Sequence, residues 1–255
     1  MKAIEIFNAI NLVAPFSVCA SYDNPGFLVG NPNDEVSRVM VCLDITKDVV
    51  EEAHMQAVNL IVSHHPVIFK PIMRVCFPDV PYLLARYGIN AICAHTNLDV
   101  AKGGVNDVLA SKIGIDSTTE ILFDCENLPL GRVGNIKAAD DVKSFALFVK
   151  GSLQANTVRF TNAGMPVKRV AVIGGACDEQ DLENAKGMNV DTLVTGDCKY
   201  HMFLRAKEIR LNLIDAGHFA TENPIVPVLR DMLIQRFSEL DIMCSSVHHD
   251  VVESI

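Results

Sequence analysis

Short apolar runs alternate with amphipathic stretches along most of this chain. Leu60–Ser63 (LIVS) is apolar or small throughout and runs into His64-His65-Pro66. A run so short, rich in β-branched residues and stopped by a proline, predicts a buried strand. Val39–Asp44 (VMVCLD) and Ile89–Ala94 (INAICA) predict two more. Between the first two strands, Lys47 to Ala57 has helical spacing, with Asp44 or Thr46 as its N-cap. Helical spacing also covers Ile4–Val13, ended by Pro15, and Phe77–Tyr87, capped by Gly88. It returns from about Val105 and over Asp141–Leu153. A short strand is expected at Phe27–Val29, after the Asp23-Asn24-Pro25-Gly26 turn. Strand–helix–strand order implies parallel pairing with right-handed crossovers.

The second half repeats this plan. Arg169–Gly175 (RVAVIGG) parallels Arg38–Asp44, Val190–Gly196 (VDTLVTG) parallels Val58–Ser63, and Leu211–His218 (LNLIDAGH) parallels Ile89–His95. A helix-like segment, Leu182–Gly187, stands between the first two, as it does in the first half. Three matched strands in matched order predict an internal duplication. The expected fold class is α/β. Residues 1–125 form a first repeat and 126–255 a second, with any site lying between them. Apart from the helix over Asp141–Leu153, Ser117–Ala163 says little beyond a strand near Thr157–Phe160 and a turn at Asn162-Ala163-Gly164.

Composition narrows the picture. Of 255 residues 49% are hydrophobic, enough for a substantial core. Aromatics are 6% with no Trp, so Val, Ile, Leu and Ala must build that core. The net charge of −9 argues against broad binding to nucleic acid or an anionic membrane. The eight cysteines, at 19, 42, 76, 93, 125, 177, 198 and 244, form no CxxC pair or zinc-ribbon spacing. They read as small buried hydrophobes in a reducing compartment. The amphipathic start, MKAIEIFNAINLVAPF, has no signal-peptide core, and no window suits a membrane span. The expectation is a soluble, cytoplasmic protein.

Chemistry gathers where the apolar strands run out. Alternate side chains of a strand face opposite ways, so His64 and His65 can serve two metal ions, one on either side. His95 ends the third strand and Asp99 lies four residues on. In the second half His218 takes the place of His95. Glu222 follows at i+4, a spacing that shares one helix face. His64, His65, Asp99, His218 and Glu222 together offer N and O donors without thiolate. Such a set suits Zn, Fe(II) or Mn without selecting among them, and Glu222 could bridge two ions. Each residue also has a plainer reading as a strand-end or turn residue. Asp23 in particular reads as turn chemistry or as a supporting group. His248-His249 are a rival pair, read as surface or late-strand residues. Lys70 and Lys199 could meet a phosphate or stay solvated. There is no GxxxxGKS/T loop, and Gly174-Gly175 alone is a weak phosphate signal.

At these residues the chain resembles the NIF-three (Ngg-one-interacting factor three) family, whose bacterial members are often named type 2 GTP cyclohydrolase I homologues. The matching blocks are DNPGFLVG (Asp23–Gly30), SHHPVIFKP (Ser63–Pro71), HTNLDVAKGGVNDVLA (His95–Ala110), TGDCKYH (Thr195–His201) and IDAGHFATE (Ile214–Glu222). They span most of the chain in order. Tyr22 stands where the family typically has Trp. The resemblance implies two intertwined α/β repeats with mixed, mainly parallel sheets flanked by helices. It implies a two-metal site at His64, His65, Asp99, His218 and Glu222, and a homo-oligomer, a hexameric ring built as a trimer of dimers.

The function expected is that of a metal-dependent hydrolase acting on a purine nucleotide or related small molecule. Two bound ions would lower the pKa of a bound water, and hydroxide would open the imidazole ring of the purine, releasing formate. His95 would be the proton donor or a supporting partner. The alternatives are a metal-bearing regulatory scaffold without turnover and a phosphoesterase using the same ions.

Overall fold

The computed structural model describes residues 1–115, 118–124, 126–139 and 141–255. Cys125, and with it the end of the first expected repeat, lies outside them. In chain order the elements are α1 (Ala3–Val13), β1 (Gly26–Val29), β2 (Arg38–Cys42), α2 (Lys47–Met55), β3 (Leu60–Ser63), α3 (Val80–Tyr87), β4 (Asn90–Cys93) and α4 (Thr96–Val100). There follow α5 (Val105–Lys112), β5 (Thr118–Leu122), β6 (Gly131–Ala139), α6 (Val142–Leu153), β7 (Arg159–Thr161), β8 (Val167–Val172) and α7 (Glu179–Gly187). The chain closes with β9 (Thr192–Thr195), α8 (Tyr200–Glu208), β10 (Asn212–Asp215), α9 (His218–Glu222), α10 (Ile225–Arg236) and β11 (Asp241–Cys244). No helix among the described residues is long and apolar enough to cross a membrane.

The α/β class expected from the sequence is the one found. The chain forms two compact units, Met1–Lys102 with Val226–His249, and Gly103–Ile225 with Asp250–Ile255. Each is built on one sheet. In the first unit the strand order is β1-β4-β3-β2-β11. β4, β3, β2 and β11 pair in parallel, and β1 runs antiparallel on the β4 edge. In the second unit the order is β5-β6-β8-β9-β10-β7. Here β8, β9 and β10 are parallel, while β7, β6 and β5 are added antiparallel. The second sheet is therefore mixed, with a parallel centre.

The two sheets share part of their wiring. In each unit an antiparallel strand, β1 or β7, comes just before three parallel strands in sequence. It pairs with the last of three parallel strands, which lie in the same spatial order, β4-β3-β2 or β10-β9-β8. The three matched segments of the sequence are these parallel strands. Their apolar runs have a simple cause. Sheets covered on both faces bury every residue, and β3, β4, β9 and β10 are buried at each position. In the second unit the alternation sorts the two faces. Val170, Val172, Val194 and Ile214 pack under α5 and α6 with Phe145 and Leu109. Ala171, Ile173, Leu193 and Leu213 pack under α7 and α8 with Leu182 and Met202. In the first unit Met40, Cys42, Ile61 and Ala91 lie under α2 and α3 with Val50 and Leu84.

Element boundaries shift for local reasons. α3 starts at Val80 rather than Phe77, because Pro78 interrupts and Asp79 takes the N-cap position. Thr46 caps α2 by accepting from the Val49 amide. That leaves Asp44 for another task.

Candidate metal centre

The first unit brings three imidazoles together. His64 and His65 follow β3, and His95 follows β4, its parallel neighbour. The backbone amides of His64 and His65 still bond to Cys42 and Leu43 carbonyls. Their side chains, however, lie beyond the last strand residue and do not diverge to opposite faces. The two rings are 5.1 Å apart, and ring nitrogens of His64, His65 and His95 all lie within 4.8 Å of one another. Strand alternation does not extend past the strand end. His95, expected as a proton donor, sits in the same cluster as the two expected ligands.

Each ring is held by Nδ1. His64 Nδ1 donates to the Ala94 carbonyl at 2.8 Å, and a carbonyl can only accept. His65 Nδ1 faces Asp44 Oδ1 at 2.7 Å, and His95 Nδ1 faces Asp23 Oδ1 at 2.8 Å. Burial alone would raise the Asp23 carboxyl, but hydrogen bonds from His95 and from the Thr96 hydroxyl and amide hold it down to about 2. An ionised carboxylate accepts only, so His95 Nδ1 carries the proton. In all three rings Nε2 is left as the basic nitrogen, which is how proteins orient metal-ligating histidines. On α4 the buried Asp99 places Oδ1 3.4 Å from His64 Nε2.

The second unit carries candidate ligands of its own. Gly217, at φ +88°, turns the chain from β10 into α9. His218 opens that helix and the buried Glu222 closes it, at the expected i, i+4 spacing. His218 Nε2 lies 3.0 Å from Glu222 Oε2, and its Nδ1 lies 2.8 Å from Asp197 Oδ2. The end of β8 shapes the pocket for these groups. The Gly175 amide donates to Thr221 Oγ1, and Gly174 donates to Asn106. A Cβ at Gly175 would stand 2.1 Å from Glu222 Oε1 and 3.2 Å from His218 Nε2. Gly174-Gly175, a weak phosphate motif in sequence, makes room for the carboxylate.

The spacing of donors suits a cation. Two ligand atoms each ~2.1 Å from one ion at ordinary angles stand roughly 3.0–3.4 Å apart. The His218–Glu222 and His64–Asp99 pairs fall in that range. With Nδ1 donating elsewhere, each Nε2 bears a lone pair facing a carboxylate oxygen. That contact is repulsive unless a proton or a cation lies between. Among the described residues the candidate metal-holding groups do not include His248 or His249. His248 is half-buried, and burial lowers its pKa while Asp44 acts the other way. Lys70 and Lys199 are exposed.

The sequence points to the histidines and, of their partners, to Asp23 as a supporting group, but not to Asp44 or Asp197 in that role. Asp44 reads as an N-cap candidate, and Asp197 stands in the TGDCKYH block without a role of its own. Each adjoins a strand end in the same way as the histidine it holds, which was the available signal.

Over residues 1–251 the sequence matches the family described as Duf34/NIF3 (NGG1p interacting factor 3). The chain belongs to this family. Among NIF3-family relatives, a Lactococcus lactis protein named "GTP cyclohydrolase 1 type 2 homolog" is 34% identical, with 91% of each chain covered. One of the same name from Clostridium acetobutylicum is 31% identical, over 91% of this chain and 90% of that one. The crystal structure of a Staphylococcus aureus protein aligns with a TM-score of 0.88 at 28% identity, covering 100% of this chain and 99% of the other. HcgD from Methanocaldococcus jannaschii, in a reduced form, aligns with a TM-score of 0.81 at 26% identity, covering 96% and 98%. The NIF3 fold expected from the sequence is therefore the fold observed.

Proposed function

We propose that this NIF3-family chain is a dinuclear metal-dependent hydrolase acting on a purine nucleotide or a related small molecule. Its ligands are His64, His65 and Asp99 from the first repeat and His218 and Glu222 from the second, holding two divalent ions of Zn, Fe or Mn. The observation that carries this reading is the pair of 3.0 and 3.4 Å Nε2–carboxylate contacts, each made by a ring already committed through Nδ1. Relatives named "GTP cyclohydrolase 1 type 2 homolog" support the choice of substrate class.

Bound divalent ions supply an acidified water near neutral pH and positive charge beside the attacked atom. The chain supplies the rest. Ala94, Asp44 and Asp197 fix the ring orientations of His64, His65 and His218. Asp23 fixes His95 through Nδ1, so its basic Nε2 would first take a proton from the attacking water and then pass it to a departing ring nitrogen.

The test is incubation of the metal-loaded protein with GTP while formate and phosphate are both measured. Formate release that disappears in His64→Ala and His218→Ala supports the proposal. Release unchanged in both variants contradicts it. Phosphate without formate assigns the same residues to phosphoester hydrolysis instead.

A further inference from the structure

Beside the histidines lies a set of aromatic rings with no part in the reaction outlined above. Tyr22 is 66% exposed and Phe69 41%. Their ring centroids are 6.3 Å apart at 67°. Phe69 meets the His95 ring at 6.1 Å and 85°, and His95 lies 5.3 Å from His64 and 5.6 Å from His65. Ring contacts thus run unbroken from solvent to the imidazole cluster.

The two segments that carry the outer rings are pinned. Asn24 Nδ2 donates to the Ile68 carbonyl at 2.6 Å. Asp23, next to Tyr22, holds His95 and the Thr96 amide. Pro66 and Pro71 bracket the segment that bears Phe69 and restrict its backbone. Lys70, the next residue, is an exposed cation in a chain of net charge −9. Rings left in water forgo the stabilisation of burial. A fixed, exposed aromatic pair beside reactive groups suits the stacking of a flat heterocycle, because every base offers a π-face.

We propose that Tyr22 and Phe69 seat the planar ring of the substrate, a nitrogen heterocycle of purine type, beside His95, one side chain stacking on its face and the other meeting its edge. Lys70 is placed to meet an anionic tail. The inference rests on the hydrolase reading above and adds the residues that would select a heteroaromatic nucleotide over a sugar phosphate or aliphatic ester.

The test is calorimetric titration of the full-length chain with guanosine 5′-monophosphate and with ribose 5-phosphate. Wild type binds the nucleotide more tightly than the sugar phosphate. Tyr22→Ala and Phe69→Ala, checked for native circular dichroism, weaken nucleotide binding roughly tenfold each and leave sugar phosphate binding unchanged. Tyr22→Phe, which keeps the ring, binds like wild type. Equal binding of the two probes by wild type overturns the proposal. So does nucleotide binding unchanged in both alanine variants. A change of oligomeric mass in those variants with nucleotide binding intact overturns it in favour of a contact between copies. Metal content measured on the same samples separates the two readings. A chain that holds its ions but shows no ring preference loses the stacking face and keeps the metal centre. A chain that stacks the nucleotide yet holds no ion loses the metal centre alone.

Discussion

At the scale of single residues the site is a set of histidines whose second nitrogen is spoken for. Replacing carboxylate partners of this kind typically costs 10–100-fold in metal affinity. Asp44→Ala and Asp197→Ala are therefore expected to weaken metal binding by roughly that factor in a competition titration, with the thermal midpoint of the metal-free chain little changed. Gly175→Ala belongs to the same scale. Its Cβ would collide with the Glu222 carboxylate from a backbone at φ +72°. Such strain costs on the order of 1–3 kcal/mol, and metal affinity is expected to fall while Glu222→Gln in the same background causes little further loss. The histidines were legible in sequence because each ends an apolar run. Asp44 and Asp197 were not, since an aspartate after a strand looks the same whether it caps a helix or orients a ring. Only the capture of the α2 N-cap by Thr46 releases Asp44 for His65.

At the scale of elements, the three parallel strands of each unit were legible from their doubly buried, β-branched runs. Their matched order also foretold the shared wiring. β5, β6 and β11 were not foreseen. GRVGNIKAA (Gly131–Ala139) carries glycines and a lysine along a strand that pairs antiparallel with β8. DIMC (Asp241–Cys244) is only four residues long and gains its pairing from β2. Neither has the periodicity that sequence reading relies on. α8 and α10 were passed over as well, although Ile225–Arg236 has apolar residues at helical spacing. The strand-end turns pack with no tolerance. A Cβ at Gly196 would lie 2.2 Å from the Gly175 carbonyl oxygen and 2.8 Å from the His218 amide nitrogen. Backbone cannot yield as a side-chain tip can. Gly196→Ala is expected to destabilise the chain by about 3 kcal/mol or more in urea unfolding.

At the scale of the whole molecule, two buried carboxylates act on stability in opposite directions. Asp23, held at about 2 by His95 and Thr96 despite its burial, is lowered relative to an unfolded chain. Its contribution is present above pH ~4 and is lost as the pH falls towards 2. Asp181 is pushed up to about 6 by burial, with Asp178 and Asp124 adding to the effect and the Asp178 amide opposing it. It binds its proton more tightly folded than unfolded, so its contribution is present below pH ~4 and is lost as the pH rises through about 6. Asp181→Asn is expected to raise the thermal midpoint at pH 7.5 and to flatten its change between pH 4.5 and 7.5. A midpoint whose pH dependence matches wild type would contradict this. The proposed metal centre takes its ligands from both repeats and holds two ions. Elemental analysis of the freshly purified chain beside His64→Ala and His218→Ala tests it most directly. Two ions per wild-type chain, with loss in each variant, is the result predicted. No bound ion in wild type, or full occupancy in both variants, would contradict it.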